Sequence, residues 1–344
     1  MRSLGDRISS VRRLSQSGVA EVGALLSSST TGKDPEVTAL GKGAWLVRSR
    51  TPAGRRLHLE QLDDTAWVLR RRGAAGRVVR PIGPPALKAH LVIDRRSLRR
   101  NFDSYQHQLL RYLGEEHVAW LLRRLGVNVV LDVGANRGQF ARRLRRDGYT
   151  GRIVSFEPVP RIAGRLERIA ADDPDWQVLR HAVGDRDETR EMNVGVGQGR
   201  LSSLLPASDF GRTWSSRIDA EAPVSVSVRR LDGLFDEVVA GIGDPRVYLK
   251  LDTQGYDLQA FAGVGDRVAD LVAMQSEMSL VPLYDGMPHL TEQLATYEAA
   301  GFQITGMFPV IFDRQTMRVI EFDAVMVRSE ALDRPDPDPG GAPA

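Results

Sequence analysis

The chain has 344 residues, 42% of them apolar, with 33 glycines and 18 prolines: enough for one large or two moderate folded units, and no fibrous or low-complexity composition. It has no cysteine, which excludes disulfides, thiolate metal sites and a cysteine nucleophile, and fits a reducing compartment, so the expectation is cytoplasmic. The net charge of +3 divides unevenly, +9 over residues 1–95 and −6 over the rest. A basic front suits an acidic partner or peripheral contact with a lipid surface. Only Lys33, Lys42, Lys88 and Lys250 are lysine, however, so the excess of arginine reads as codon bias, and no nucleic-acid partner is expected. No run approaches the ~18 apolar residues of a membrane-spanning helix. The basic start lacks a clean signal-peptide stretch because Glu21 interrupts it.

Taken in chain order, Leu4, Ile8, Val11 and Leu14 have helical spacing. "GAWLVRSRTPAGRRLHLEQL" reads as a hairpin turning at Thr51-Pro52-Ala53-Gly54, and a second pair is expected around "GAAG" at 73–76. "RPIGPP" at 80–85 marks a boundary. Residues 1–85 are therefore expected to form a partly β accessory region, and 86–126 a helical lead-in. From 127 onward apolar runs alternate with helical stretches: "VNVVLDV", "GRIVSFE", "WQVLRHA", "RVYLKLD" and "DLVAMQSE", with helices beginning near Arg137, Pro160, Arg230, Gly255 and Pro288. That alternation predicts an α/β fold with a mostly parallel sheet covered on both faces. "GFQITGMFPVIFDRQTMRVIEFDAVMVR" adds an antiparallel finish turning at Asp313-Arg314. The domain is expected to span 127–328, and the composition of 329–344 reads as a disordered tail.

Two stretches carry chemistry. In "LDVGANRGQF" (131–140) a strand ends in Asp132, turns at Gly134 and restarts as a helix at Gly138, the arrangement that places a ligand at a strand's carboxyl end. Glu157 ends the next strand, where a carboxylate grips ribose hydroxyls. The turn is not G-x-G-x-x-G, and an acid beside it repels pyrophosphate but attracts a sulfonium or amino group, so it fits S-adenosylmethionine (SAM) better than a dinucleotide. A nicotinamide-dependent oxidoreductase, or a turn whose polar residues only cap, are the competing readings. "LRHAVGD" places His181 and Asp185 near the adenine, where either is a cofactor contact or an ordinary loop residue. In "VYLKLDTQGYDLQAFAG" (247–263), strand alternation puts Tyr248, Lys250 and Asp252 on one face. A buried Lys needs a partner, so Lys250 either neutralises Asp252 or serves a site there. Glu277, at the end of "MQSE", is expected beside Asp252.

"DVGANRGQF", "FEPVP", "AVGD", "GRLSSL", "RLDGLF", "LKLDTQGYDLQAFAGV", "QSEMSLVPLYDG" and "EFDAVMVR", in this order, resemble an FkbM-type methyltransferase over roughly 100–328. The resemblance implies a class I, Rossmann-like fold and SAM-dependent O-methylation of a hydroxyl, often on a sugar, glycolipid or polyketide-like natural product. It implies that Asp132, Gly134, Asn136 and Gly138 cradle SAM, that Glu157 holds its ribose, and that Asp252, Glu277 and the loop through Tyr284 face the acceptor. Lys250, Asp252 and Glu277 form the catalytic group expected here, with no metal. Gln254 departs from the family, where Glu is common, which puts a catalytic role for that position in doubt. A non-catalytic module retaining the fold is the remaining alternative, and the resemblance leaves residues 1–95 without a role.

Overall fold

The computed structural model describes residues 102–332, except 198, 219–222, 314, 315 and 317, together with six strands between residues 36 and 94. The chain divides into two compact units, 1–102 and 103–344. In the first, β1 (Glu36–Gly41) pairs with β2 (Ala44–Arg48), β3 (Leu57–Gln61) with β4 (Trp67–Arg71), and β5 (Arg77–Ile82) with β6 (Ala89–Asp94), all antiparallel. Strands β2 to β5 were legible, but β1 was not anticipated, β6 falls in the stretch 86–126 expected to be a helical lead-in, and the pairing differs from expectation. The Pro-Gly and Gly-Ala-Ala-Gly breaks lie between these ladders instead of inside them, because punctuation marks where a strand stops without naming its partner. The segment 1–30 lies outside the described residues.

The second unit begins with α1 (Phe102–Arg124) and then builds a seven-stranded sheet from β7 (Val129–Val133), β8 (Arg152–Phe156), β9 (Trp176–Leu179), β13 (Val247–Leu251), β14 (Leu271–Ser279), β15 (Phe302–Phe312) and β16 (Val319–Arg328). Its order is β15-β16-β14-β13-β7-β8-β9. All neighbours are parallel except the pairs made by β16, which runs against both β14 and β15. Starting from β7, the chain winds outward through β8 and β9, then returns to β13 on the other side. The switch therefore falls between β7 and β13, where such sheets open a crevice at their carboxyl ends.

Alternation along the strands loads both faces. Val129, Leu131, Val133, Leu249 and Leu251 pack against Leu234, Phe235, Phe261 and Tyr297 of helices α5 (Asp232–Val238), α6 (Asp257–Ala262) and α7 (Leu290–Ala299). Val130, Ile153 and Tyr248 face Leu121, Phe140 and Leu166 of α1, α2 (Gln139–Arg146) and α3 (Pro160–Ala170). With both faces covered, near-continuous apolar strands replace the alternating pattern of a half-exposed sheet.

"WQVLRHA", read as one strand, is two: after β9, β10 (Ala182–Val183) leaves the main sheet to join β12 (Val224–Arg229) and β11 (Glu188–Met192) in a three-stranded sheet. A third apolar cluster, including Val159, Leu205, Tyr256, Leu283 and Tyr284, spans this sheet and the loops beyond the carboxyl ends of the main strands. The segment read as a tail starts with helix α8 (Ser329–Leu332), in which Ala331 is buried; its remainder lies outside the described residues.

Candidate active site

The turn after β7 is tight for two separate reasons. Gly134 has φ 79°, and a Cβ there would sit 1.9 Å from the Asp252 carbonyl oxygen, so only glycine lets β7 and the end of β13 approach. Gly138, φ 69°, leaves no room for a side chain against Leu166 and Trp176. Asn136 takes the left-handed conformation (φ 50°) that Asn tolerates better than most residues. The backbone N–H groups of this turn are then all occupied. Those of Gly134 and Ala135 donate to the Phe156 carbonyl, that of Gly138 to the Ala135 carbonyl, that of Asn136 to Glu157 Oε2, and that of Arg137 to Gln139 Oε1. These five N–H groups are thus engaged before α2 begins at Gln139.

Glu157 braces the turn from the next strand: Oε2 accepts from Asn136 N and Oε1 from Val159 N, both at 2.9 Å. Burial pushes its carboxyl up to about 7, against the pull of those two N–H bonds. Each oxygen keeps a second lone pair for a ligand hydroxyl. His181, between β9 and β10, is half-buried with Nδ1 enclosed and without a hydrogen-bond partner, and burial lowers its pKa.

Across the switch, Lys250 is paired in register with Asp132, and its Nζ lies 3.0 Å from Asp132 Oδ1 and 3.2 Å from Asp252 Oδ2. Burial works against the ammonium, but the two carboxylates outweigh it and hold the Lys250 pKa above its ordinary value. Gln254, held at φ 54°, joins the carboxylates: Nε2 donates to Asp252 Oδ1 (3.2 Å) and to Glu277 Oε2 (2.7 Å), while Oε1 accepts from Tyr284 Oη (3.2 Å). Glu277 opposes Asp323 and Ser279 opposes Glu321 on the β14–β16 ladder, so alternation brings three carboxyl groups to one face. Burial first, and then Glu321 and Asp252, hold the Glu277 pKa well above the carboxylate range. Burial likewise raises Asp323 and Asp257 to about 7 and Glu321 to about 8. Both Glu321 oxygens are enclosed without a hydrogen-bond partner.

These groups surround a cavity of about 940 Å³, a size suited to two small molecules side by side. Gly134, Asn136, Glu157, His181, Asp252 and Glu277 line it. The other three anticipated residues lie beneath. Asp132 is fully buried and ion-paired, Gly138 packs the helix start against Trp176, and Lys250 reaches Asp252 from below. Asp132 therefore does not present its charge to a ligand; the carboxylates facing the cavity are Glu157, Asp252 and Glu277. Asp185 pairs with Arg186 outside the lining. Sequence reasoning missed Gln254 as the joint of the acidic group, although a polar residue two positions beyond Asp252 was the available signal. It also missed Arg200, Trp214 and Arg217, which line the cavity as well; Arg200 falls within the motif "GRLSSL", whereas Trp214 and Arg217 lie outside every quoted motif. Among the described residues no group of three or more His, Asp or Glu side chains is placed to hold a metal, and no helix is long and apolar enough to cross a membrane.

A family model described as the methyltransferase FkbM domain matches residues 132–304, about half of the chain. The 2-O-methyltransferase NoeI of Sinorhizobium fredii is 27% identical over 188 residues, covering 53% of this chain and 74% of NoeI. The 31-O-demethyl-FK506 methyltransferase FkbM of Streptomyces tacrolimicus is 28% identical over 203 residues, covering 52% of this chain and 73% of that protein. Among solved structures, fibrillarin of Aeropyrum pernix with natively bound S-adenosyl-L-methionine aligns at 13% identity and a TM-score of 0.36, covering 85% of this chain and 99% of that one.

Proposed function

The chain belongs to the FkbM methyltransferase family, and from that premise we propose that it transfers a methyl group from SAM to a hydroxyl of a sugar, glycolipid or polyketide-like acceptor. The observation that carries the donor reading is the occupied turn. With the N–H groups of 134–138 engaged and Glu157 and Asp252 facing the cavity, a diphosphate at this turn meets carboxylates in place of the turn's own N–H donors. A ligand with hydroxyls for Glu157 and cations for the acidic floor suits the same surface. His181 Nδ1, enclosed and unpartnered at the wall, is a second group awaiting a polar ligand atom. The names of the two relatives, both O-methyltransferases, support a hydroxyl as the acceptor group.

Bound there, SAM supplies an electrophilic methyl carbon and a sulfur that leaves uncharged. The chain must align an acceptor oxygen with that carbon and remove its proton. Asp252 is the base in this reading. Its side chain is 39% exposed, faces the cavity and is held by Lys250 and Gln254. Glu277, whose carboxyl burial and its acidic neighbours push well above its ordinary value, holds Gln254 in place. A positioned base contributes ~10²–10⁴-fold, and alignment of the two reactants several kcal/mol more, about 7–11 in favourable cases. The test is a turnover assay with SAM over a panel of hydroxylated acceptors, followed by Asp252→Asn. The variant should largely retain SAM binding and turn over ~10²-fold more slowly. Normal turnover would remove Asp252 from the base role.

A further inference from the structure

The charges lining the cavity come from different elements. Its carboxylates, Glu157, Asp252 and Glu277, stand just after β8, just after β13 and on β14, while its three formal cations, Arg111, Arg200 and Arg217, come from α1 and from the segment between β11 and β12. Arg111 is paired with Glu115 at 3.4 Å. Arg200 and Arg217 are exposed, and neither has a carboxylate partner among the described residues.

The two arginines stand on backbone that is fixed to the site. The Gly199 carbonyl, immediately before Arg200, accepts from Asn136 Nδ2 (3.3 Å) and Ser202 Oγ (2.8 Å), which ties this loop to the turn after β7. The Arg217 carbonyl accepts from Val196 N (3.0 Å), and the Arg217 N–H donates to Ser215 Oγ (3.3 Å). The cavity lining also includes the half-buried Trp214, last residue of α4 (Asp209–Trp214), whose indole offers a flat apolar face.

We propose that the methyl acceptor is an anion: a hydroxylated ring carrying a phosphate or sulfate ester, with the ester held by Arg200 and Arg217 and the ring against Trp214. Guanidinium groups match such oxyanions geometrically and hold them through charge-assisted hydrogen bonds. The Asp252 carboxylate repels the ester while Arg200 and Arg217 attract it, so the molecule enters one way round, ester outward and hydroxyl toward Asp252. The charge pattern thus orients the acceptor before any specific contact to its ring. This rests on the methyl-transfer reading above and adds the acceptor's charge to it.

The test uses the full chain saturated with S-adenosylhomocysteine, titrated by calorimetry with inorganic phosphate and, separately, inorganic sulfate. At least one anion should bind, and its affinity should fall at least tenfold in Arg200→Gln/Arg217→Gln, while S-adenosylhomocysteine binds that variant as tightly as before. The arm that binds better identifies the ester. Binding of neither anion, or equal binding to the double variant, would overturn the proposal. Failure of the unaltered chain to bind S-adenosylhomocysteine would instead overturn the donor reading, which keeps the two separable.

Discussion

Replacing Lys250 by Met tests the electrostatic joint under the site. The ammonium lies 3.0 Å from Asp132 Oδ1 and 3.2 Å from Asp252 Oδ2, but the two partners differ in environment. Asp252 is 39% exposed, so water screens its loss of a partner. Asp132 is 0% exposed, and its other side-chain partner, Ser155 Oγ, stands at 3.5 Å. Removing the cation therefore strands one buried carboxylate, a defect that costs about 3–5 kcal/mol. Total stability of a domain is only about 5–15 kcal/mol, so the variant should be near the edge of folding. Adding Asp132→Asn removes the stranded charge and should recover most of the loss. Urea unfolding at neutral pH, followed by helix circular dichroism, measures all four members of the cycle. A Lys250→Met loss below about 1 kcal/mol, or a double variant no more stable than the single, would refute the buried-pair reasoning.

Three further outcomes follow from the geometry. Gly134→Ala places a Cβ 1.9 Å from the Asp252 carbonyl at a backbone φ of 79°, so the chain should fold poorly and lose SAM binding together. Glu321 has its pKa raised from 4.5 to about 8 by burial. The stabilisation from its proton is full below the unfolded value and is lost as pH rises through about 8. Glu321→Gln, which stays neutral, should therefore flatten the fall in melting temperature between pH 5 and 8, and an unchanged pH profile would count against the burial argument. Glu157→Ala leaves the N–H groups of Asn136 and Val159 without their acceptor, so it should weaken SAM binding at least tenfold.

Legibility in the sequence followed the range of the physics involved. Strand β13 could be read from alternation, because Lys250 and Asp252 stand out among apolar neighbours, and β7 from the glycine turn that ends it. Glu277 beside Asp252 follows from parallel strands ending at one edge. What depended on contacts across the chain was not legible. Whether Asp132 met the ligand or lay under it turned on Lys250, 118 residues away in sequence yet its register partner. The occupied N–H groups of the turn required Phe156 and Glu157 to fold over it. Gln254 looked like a departure from family chemistry, yet its amide alone bridges Asp252, Glu277 and Tyr284. The cavity's arginines could not be singled out, because arginine is frequent throughout this sequence and only the fold shows that Arg111, Arg200 and Arg217 line the cavity.

The most direct measurement is calorimetric titration of the full chain with SAM and, in parallel, with NAD. SAM should bind at one site per chain and NAD should give no heat above dilution, because the N–H groups of the turn 134–138 are engaged and Glu157 and Asp252 face the cavity. NAD binding with an affinity equal to or better than that of SAM, or no SAM binding by a folded chain, would contradict the assignment of this cavity to the methyl donor.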